Sequence, residues 1–570
     1  MESPHSGPND RESIELRRLL ESHRFDRRRF LVQGLRASAA LGFGGLLAAC
    51  TPKKDAPTKT PSGTVSATAT QSLSPQKGGS LRVAQGDGVP ADFFRGNVLG
   101  QQVFTYCQFA WPLYIAAPDS AEAVPALAES YEASPDGLTH TFTLREGITF
   151  HDGSPIDADA VVKNLRSDFF ENSPFRDDGE YVAGLLSFGF GELIKSIDAA
   201  DARTVVWTLT GPRADIRRGV WYLYIMNPEV LKQKDYGTDA EALGRAGSGP
   251  FRVTAFTPGR FVEYERFENF HEPVYLERLR IEVIADDAAM GLALRGGDID
   301  AAVALGKVDF DDFSNDPAYQ AAVAPRAGLN TFLDIQSPRN DQMADPRVRE
   351  AIILAMNRPA YREAFWPTGA ADADTQPVTV PGGVGHNAGI DERPYDPDRA
   401  RELVQQAGAD GLVVRAISTE SNGYLSNMNQ FWEAVKADLQ AVGMDLQITI
   451  TDQATVDADW PENDLRIDVF DDEYEWLVFP IYYQLFNTDP KTDPRATTPA
   501  VARLMKEAAD TSDQSEIAAK FEELQQLDHD DLIMGVPLTV IRKSAIVRQG
   551  VHDFRVHLSA DPLHKTWIET

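Results

Sequence analysis

Two cysteines, ten histidines and 86 acidic residues are among the side chains of this 570-residue chain that could do covalent or acid–base chemistry. A thiolate can attack an electrophile or carry a lipid, an imidazole moves protons near neutral pH, and two opposed carboxylates cleave glycosidic bonds. Spacing decides between them. The histidines are scattered without metal-ligand spacing. The sequence has no Gly-x-Ser-x-Gly elbow, His-Glu-x-x-His helix, Gly-x-x-x-x-Gly-Lys phosphate loop or Cys-x-x-Cys pair. No catalytic residue, metal site or cofactor is therefore assigned. Cys107, beside Tyr106, reads as a small buried apolar residue. His151 reads as part of a turn, Phe150-His151-Asp152-Gly153-Ser154-Pro155. With so many acids an opposed pair stays available, so the alternative function is an exported hydrolase acting on a small extracellular substrate.

Cys50 points to different chemistry. It ends the tetrapeptide Leu47-Ala48-Ala49-Cys50, which closes a weakly apolar run that follows Arg27-Arg28-Arg29-Phe30-Leu31. The uncharged part, Ala37 to Ala49, is shorter than the roughly 20 residues that span a bilayer. Residues 1–49 read as an export signal of the twin-arginine type, with Arg27 and Arg28 as the pair. The tetrapeptide is similar to a lipobox, whose cysteine is acylated after cleavage, so Cys50 is the expected lipidation site. Residues 50–77, rich in Thr, Ser, Pro, Ala and Lys, cannot bury enough surface to fold and read as a disordered tether. The expected location is the extracytoplasmic face of the cell membrane, periplasmic or cell-surface. Lipid on Cys50 would leave Cys107 without a partner for an intrachain disulfide.

The formal charge is −31, and because residues 1–49 hold eight basic and six acidic side chains, the remainder carries −33. Such a surface repels nucleic acid and anionic headgroups, and favours solubility outside the cell. An apolar content of 42% is that of an ordinary soluble protein, and the length suits two or three domains.

Past residue 78 the pattern is mixed. Thr141–Arg145, Leu279–Val283 and Leu446–Ile450 alternate as half-buried strands. Asp345-Pro346 and Asp396-Pro397 each supply an N-cap followed by proline at the first helical position. Val348, Ala351, Ile352 and Ala355 share one helical face, as do Ala400, Leu403, Val404 and Ala407 before a stop at Gly408. Phe431, Val435, Leu439 and Val442 form a third stripe, and Ser512 to Asp530 a late helix followed by the strand-like Val536–Ile541. Helix, glycine stop and strand recur, which is the grammar of an α/β domain.

The window Pro125 to Leu165 contains Ala126-Leu127-Ala128-Glu129-Ser130-Tyr131, Asp136-Gly137-Leu138 and Phe150-His151-Asp152-Gly153-Ser154-Pro155. It closely resembles the extracellular solute-binding proteins of peptide and nickel ABC importers, family 5. Gly247-Ser248-Gly249-Pro250, Leu294-Arg295-Gly296-Gly297-Asp298 and the two Asp-Pro helices follow in the family's order. The resemblance implies an α/β, two-lobed fold of the periplasmic-binding-protein type II kind, with a hinge and an extra subdomain on the first lobe. Lobe I would take 78–112, 246–325 and 535–570, its subdomain 113–245, and lobe II 326–534. Function would be capture of a small solute, peptide-like foremost, between closing lobes, for delivery to the importer's permease subunits in the membrane. The protein would act as a monomer and not as an enzyme.

In peptide-binding members a buried carboxylate on lobe II takes the ligand's amine, within a segment holding tryptophan and aspartate. Here the corresponding stretch, Ile467 to Pro480, has Trp476, but acids precede it where the family's Gly-Trp and following Asp are absent. Asp472 and Glu475 are the expected partners of an amine or cation. Tyr106, Trp111, Phe332, Trp366, Tyr424, Tyr482 and Tyr483 are the expected aromatic lining, since flat side chains exclude water at low entropic cost. Arg145 is expected in a strand-end salt bridge.

Overall fold

The computed structural model describes residues 74–569, except 87, 94–102, 118–119, 121, 171–193, 214–215, 222, 336–339, 377–378, 421–424, 426, 472–498, 510, 512, 532–534 and 557–561. Strand β1 (Ser80–Gln85) leads to a helical turn, Val103–Tyr106. A separate antiparallel sheet follows, built from β2 (Ala128–Ala133), β3 (Thr139–Leu144), β4 (Ile194–Ala199) and β5 (Thr204–Leu209), with helix α1 (Ala158–Phe169) packed on it. The chain returns through β6 (Phe251–Thr257), β7 (Phe261–Arg266), β8 (Arg278–Val283), α2 (Asp287–Gly296), β9 (Ala301–Val303), α3 (Lys307–Ser314) and β10 (Tyr319–Val323). It then crosses to a second lobe. That lobe comprises β11 (Leu329–Ile335), α4 (Pro346–Ala355), α5 (Arg358–Phe365), β12 (Ala371–Asp372), α6 (Pro397–Ala407) and β13 (Val413–Ser418). It continues with α7 (Met428–Ala441), β14 (Asp445–Ile450), β15 (Leu465–Asp471), α8 (Gln514–Asp531) and β16 (Gly535–Ile541). Strand β17 (Ser544–Arg548) lies back in the first lobe.

Local chemistry sets these ends. Asp345 accepts from Arg347 N and Asp396 from Arg399 N, so each satisfies an orphan donor of the helix that its proline begins. Asp157 does the same for α1, whose Val161, Leu165 and Phe169 are fully buried. Gly408 ends α6 with φ at +66°, a conformation that glycine adopts without Cβ strain. In α7, Phe431, Val435 and Leu439 are buried, each contributing roughly 1.5–3 kcal/mol through removal from water.

The first large sheet runs β10-β17-β9-β1-β8-β7-β6 and the second β12-β16-β11-β15-β13-β14. In the first, β1 is parallel to β8 and β9; in the second, β13 is parallel to β14 and β15. Each sheet has its own apolar core. Leu81, Phe142, Trp207, Phe251 and Val547 belong to one that also takes in the four-stranded sheet; Leu333, Ile352, Phe431 and Leu446 belong to the other. The lobe II boundary expected at 534 falls elsewhere. Residues 535–541 pair with β11 in the second sheet, and only β17 rejoins the first, so the return crossing is at 542–543. Both runs are apolar strands, and the Arg542-Lys543 pair between them is what marks the change of sheet.

Candidate functional site

Strand direction locates the site. In the first sheet Gln85 pairs with Val283 and Val303, and Val303 with Ala545, just past the 542–543 crossing. In the second, Leu329, just past the 324–328 crossing, pairs with Asp471 and with Ile541. The carboxyl ends of β1, β8 and β9 therefore face the same two crossings as those of β13, β14 and β15. Ligands of open α/β sheets bind outside the carboxyl ends of parallel strands, where side chains of successive loops converge. Here two such ends face each other across a two-stranded hinge.

The crossings form the floor. Ala324 N donates to Lys543 O at 2.8 Å and Gly328 N to Ile541 O at 3.2 Å, so the two segments run paired between the lobes. The ammonium of Lys543 lies 4.9 Å from the centroid of the Phe104 ring, on the helical turn that follows β1. Beside it Gln85 Nε2 donates to Thr105 Oγ1 (3.4 Å), Thr105 Oγ1 to Gly88 O (2.8 Å) and Tyr264 OH to Thr105 O (2.8 Å). Ala304, directly after β9, holds a left-handed φ of +56° and donates its N–H to Ser544 O. A side chain in that conformation is strained, and surrounding structure must impose it. On the second lobe, Thr451 N donates to Ser418 O and ties the ends of β13 and β14 together.

Next to the 324–328 crossing lies a buried polar network. Asn330 Nδ2 reaches Asp374 Oδ2 (3.1 Å), Gln376 O (2.9 Å) and Thr379 O (2.9 Å), while Gln376 N donates to Asp374 Oδ1. Burial pushes the Asp374 carboxyl up to about 7, against those hydrogen bonds and the nearby Arg358 charge. Arg358 is itself desolvated, its guanidinium brought down to about 10. A small cavity of about 10 Å³ beside Arg358 reaches Gly535, at the far end of β16 from the hinge. A larger one of about 340 Å³ follows the outer edge of β10. Neither is the crevice between the facing strand ends.

Motifs at sequence-distant positions meet in the first lobe and build it. His151 Nε2 lies 3.0 Å from Gly249 O, and Ser248 Oγ accepts from Trp111 N and donates to Ile225 O. His151 is buried and its pKa is lowered to about 4, chiefly by desolvation. It is a structural histidine. Arg145 donates to the carbonyl of Ala126 at 2.6 Å, where a salt bridge was expected. Asp300, in the acidic turn, accepts from Arg82 N and Nε. Cys107 is buried, with Sγ 3.3 Å from Phe104 O.

The expected aromatic lining divides. Tyr106 packs on Phe93, Phe109 and Tyr224, Trp111 edge-on against Phe270 and His564, and Trp366 against Phe431, all fully buried. Phe332 is buried in the middle of β11, opposite Pro537 and Asp468. Tyr106, Trp111 and Trp366 have packing roles, since a large ring in a tight interior gains more from contact than from facing solvent, and Phe332 is buried within the second sheet. Tyr424, Asp472, Glu475, Trp476, Tyr482 and Tyr483 lie outside the described residues, as do Arg27, Arg28 and Cys50. Sequence reasoning passed over Gln85, Asn330, Asp374 and Lys543. The basic pair 542–543 between two strand patterns was the one signal that could have pointed to the floor.

Residues 122–494 match a family described as bacterial extracellular solute-binding proteins, family 5 Middle. The chain is 28% identical over 303 residues to heme-binding protein A of Haemophilus influenzae, covering 51% of this chain and 54% of that protein. It is 28% identical over 366 residues to di/tripeptide-binding protein 2 of Pseudomonas aeruginosa, covering 60% and 67%. The matches thus span about half to two thirds of these relatives. Among solved structures, the periplasmic binding protein DppA of Helicobacter pylori in complex with peptide STSA superposes with a TM-score of 0.72 at 23% identity, covering 87% of this chain and 99% of that one. NikA of Brucella suis in complex with Fe(III)-EDTA gives 0.73 at 19% identity, covering 86% and 100%. The fold is that of the type II periplasmic binding proteins.

Proposed function

The chain belongs to family 5 of the bacterial extracellular solute-binding proteins, and from that premise we propose that it is the lipid-anchored solute-capturing subunit of an ABC importer. The observation that carries this reading is the facing of two sets of parallel-strand carboxyl ends across a paired hinge. A solute that touches both lobes only when they close draws the population toward the closed form. The importer's membrane subunits would read that form. Cys50, acylated after cleavage, would keep the binder within their reach, and Arg27-Arg28 would direct export. The cargo is a small peptide-like solute, with Asp472 or Glu475 as partner of its amine; the peptide names among the relatives support that class.

A panel of di- and tripeptides, glutathione, haem and chelated nickel tests the proposal by calorimetry and small-angle scattering. One class should bind with one-to-one stoichiometry, reduce the radius of gyration and be released unchanged. Release of altered solute would instead establish the hydrolase alternative, and no compaction with any member of the panel would overturn the capture mechanism. Labelled palmitate should enter the parent protein and not Cys50→Ser.

A further inference from the structure

The segment from Thr368 to Asp372 belongs to the second lobe, yet it grips the first. Asp311, one turn into α3, accepts from Thr368 N through Oδ1 (3.0 Å) and from Thr368 Oγ1 through Oδ2 (3.0 Å). Lys307 Nζ pairs with Asp311 and lies 3.4 Å from Thr368 Oγ1. Two residues on, Ala370 O accepts from Arg542 N, and the Asp372 carboxylate holds the Arg542 guanidinium at 2.6 Å. Arg542 also donates to Pro325 O at 2.9 Å, so one side chain touches both crossings' surroundings and the edge of the second sheet. Among the described residues the main apolar clusters of the two lobes are separate, so these polar contacts reach between two bodies that do not share one core.

We propose that residues 368–372 are a brace across the hinge, and that the Asp311–Thr368 pair is its releasable catch, setting the balance between lobe arrangements before any solute binds. The proposal deepens the capture reading given above and rests on it for its purpose. The Arg542 contacts sit on the crossings themselves and turn with them. The Asp311 pair lies beside the crossings, between a helix of one lobe and a loop of the other. A hydrogen bond lapses beyond about 3.5 Å, so rotation of one lobe against the other must break it. Both oxygens of one carboxylate are engaged with a single residue, which fixes direction as well as distance. Burial opposes the charge on Asp311, but Lys307 and the Thr368 donors outweigh it and hold the carboxyl below its ordinary value. The catch is therefore ionised, and engaged, at neutral pH. Solute affinity would carry its effect, because binding through a closed form scales with how often that form is populated.

The test measures inter-lobe distance without solute. Spin labels at Leu292→Cys and Tyr395→Cys, positions 69% and 43% exposed, report on lobes one and two by double electron–electron resonance. In the Asp311→Ala background the population at the parent distance should fall about fivefold relative to the alternative spacing, the low end of typical couplings. Thr368→Val, which keeps the main-chain donor, should fall less. Should Asp311→Ala fold poorly, Lys307→Ala weakens the same catch by removing the ammonium that pairs with Asp311, and should shift the distances in the same direction. Distance distributions identical in all variants and the parent would overturn the brace. Because no solute is present, that outcome is distinct from failure of the capture reading, which would show as no distance change in the parent when the solute panel is added.

Discussion

Gly247 leaves no room for a β-carbon: one built there would lie 2.2 Å from Phe109 O and 2.4 Å from His151 Cε1. Gly247→Ala should therefore lower stability by about 3 kcal/mol, read as a reduced urea midpoint, because backbone on one side and a buried ring on the other cannot both yield. Ser248→Ala should cost about 1–3 kcal/mol by leaving Trp111 N and Ile225 O unpaired in the interior. Two buried titrations then work against each other. His151 falls from 6.5 to about 4, so the unfolded chain takes up its proton first, and stability is lost as pH falls between those values. His271, lowered to about 4 by desolvation above all, acts in the same sense. Asp374 rises from 3.8 to about 7, so its contribution is complete below about 3.8 and is lost as pH rises through about 7. Urea unfolding of Asp374→Asn at pH 4.5 and 7.5 should show the variant gaining on the parent by about 2–4 kcal/mol at the higher pH. His151→Gln should gain on the parent at the lower pH instead.

At the level of elements, the Asn330 amide joins β11 to the 374–379 segment, so Asn330→Ala should cost about 3 kcal/mol in denaturant unfolding by stranding the Asp374 carboxyl and two carbonyls. Neither partner announced this in the sequence, because an isolated Asn and an isolated Asp carry no periodic signal. Helix starts were legible for the opposite reason: at Asp345-Pro346 and Asp396-Pro397 a capping carboxylate and a donor-less proline are adjacent in the chain. The half-buried strand at 139–144 was likewise readable, since burial alternates residue by residue. What local pattern could not carry was partnership. Val536–Ile541 and Ser544–Val547 are both short apolar strands, yet they join different sheets. Tyr106 and Trp111 read as cleft aromatics and are core, because ring size says nothing about which side of a wall a ring occupies. The windows that resembled a family were legible as structure: His151 N donates to Gly247 O and its Nε2 lies at hydrogen-bond distance from Gly249 O, although about a hundred residues separate them.

For the molecule as a whole, two cores joined by paired crossings predict two partly independent unfolding steps in calorimetry without solute. A solute bound to both lobes at a hundred times its dissociation constant should add about 2.7 kcal/mol and draw the steps together. The globule's two ends meet at the far pole of the first lobe. Gly78 N donates to Tyr275 O, Tyr275 N to His564 O, and Gly79 sits against Ile568. The chain thus enters and leaves its globule side by side, at the amino end of β1 and remote from the hinge. A short linker should be able to stitch Glu569 to Gly78, so that circularly permuted versions reopened at a surface turn keep both jaws intact. A fluorescent reporter appended behind Thr570 should sit beside Gly78 and leave the mouth unobstructed.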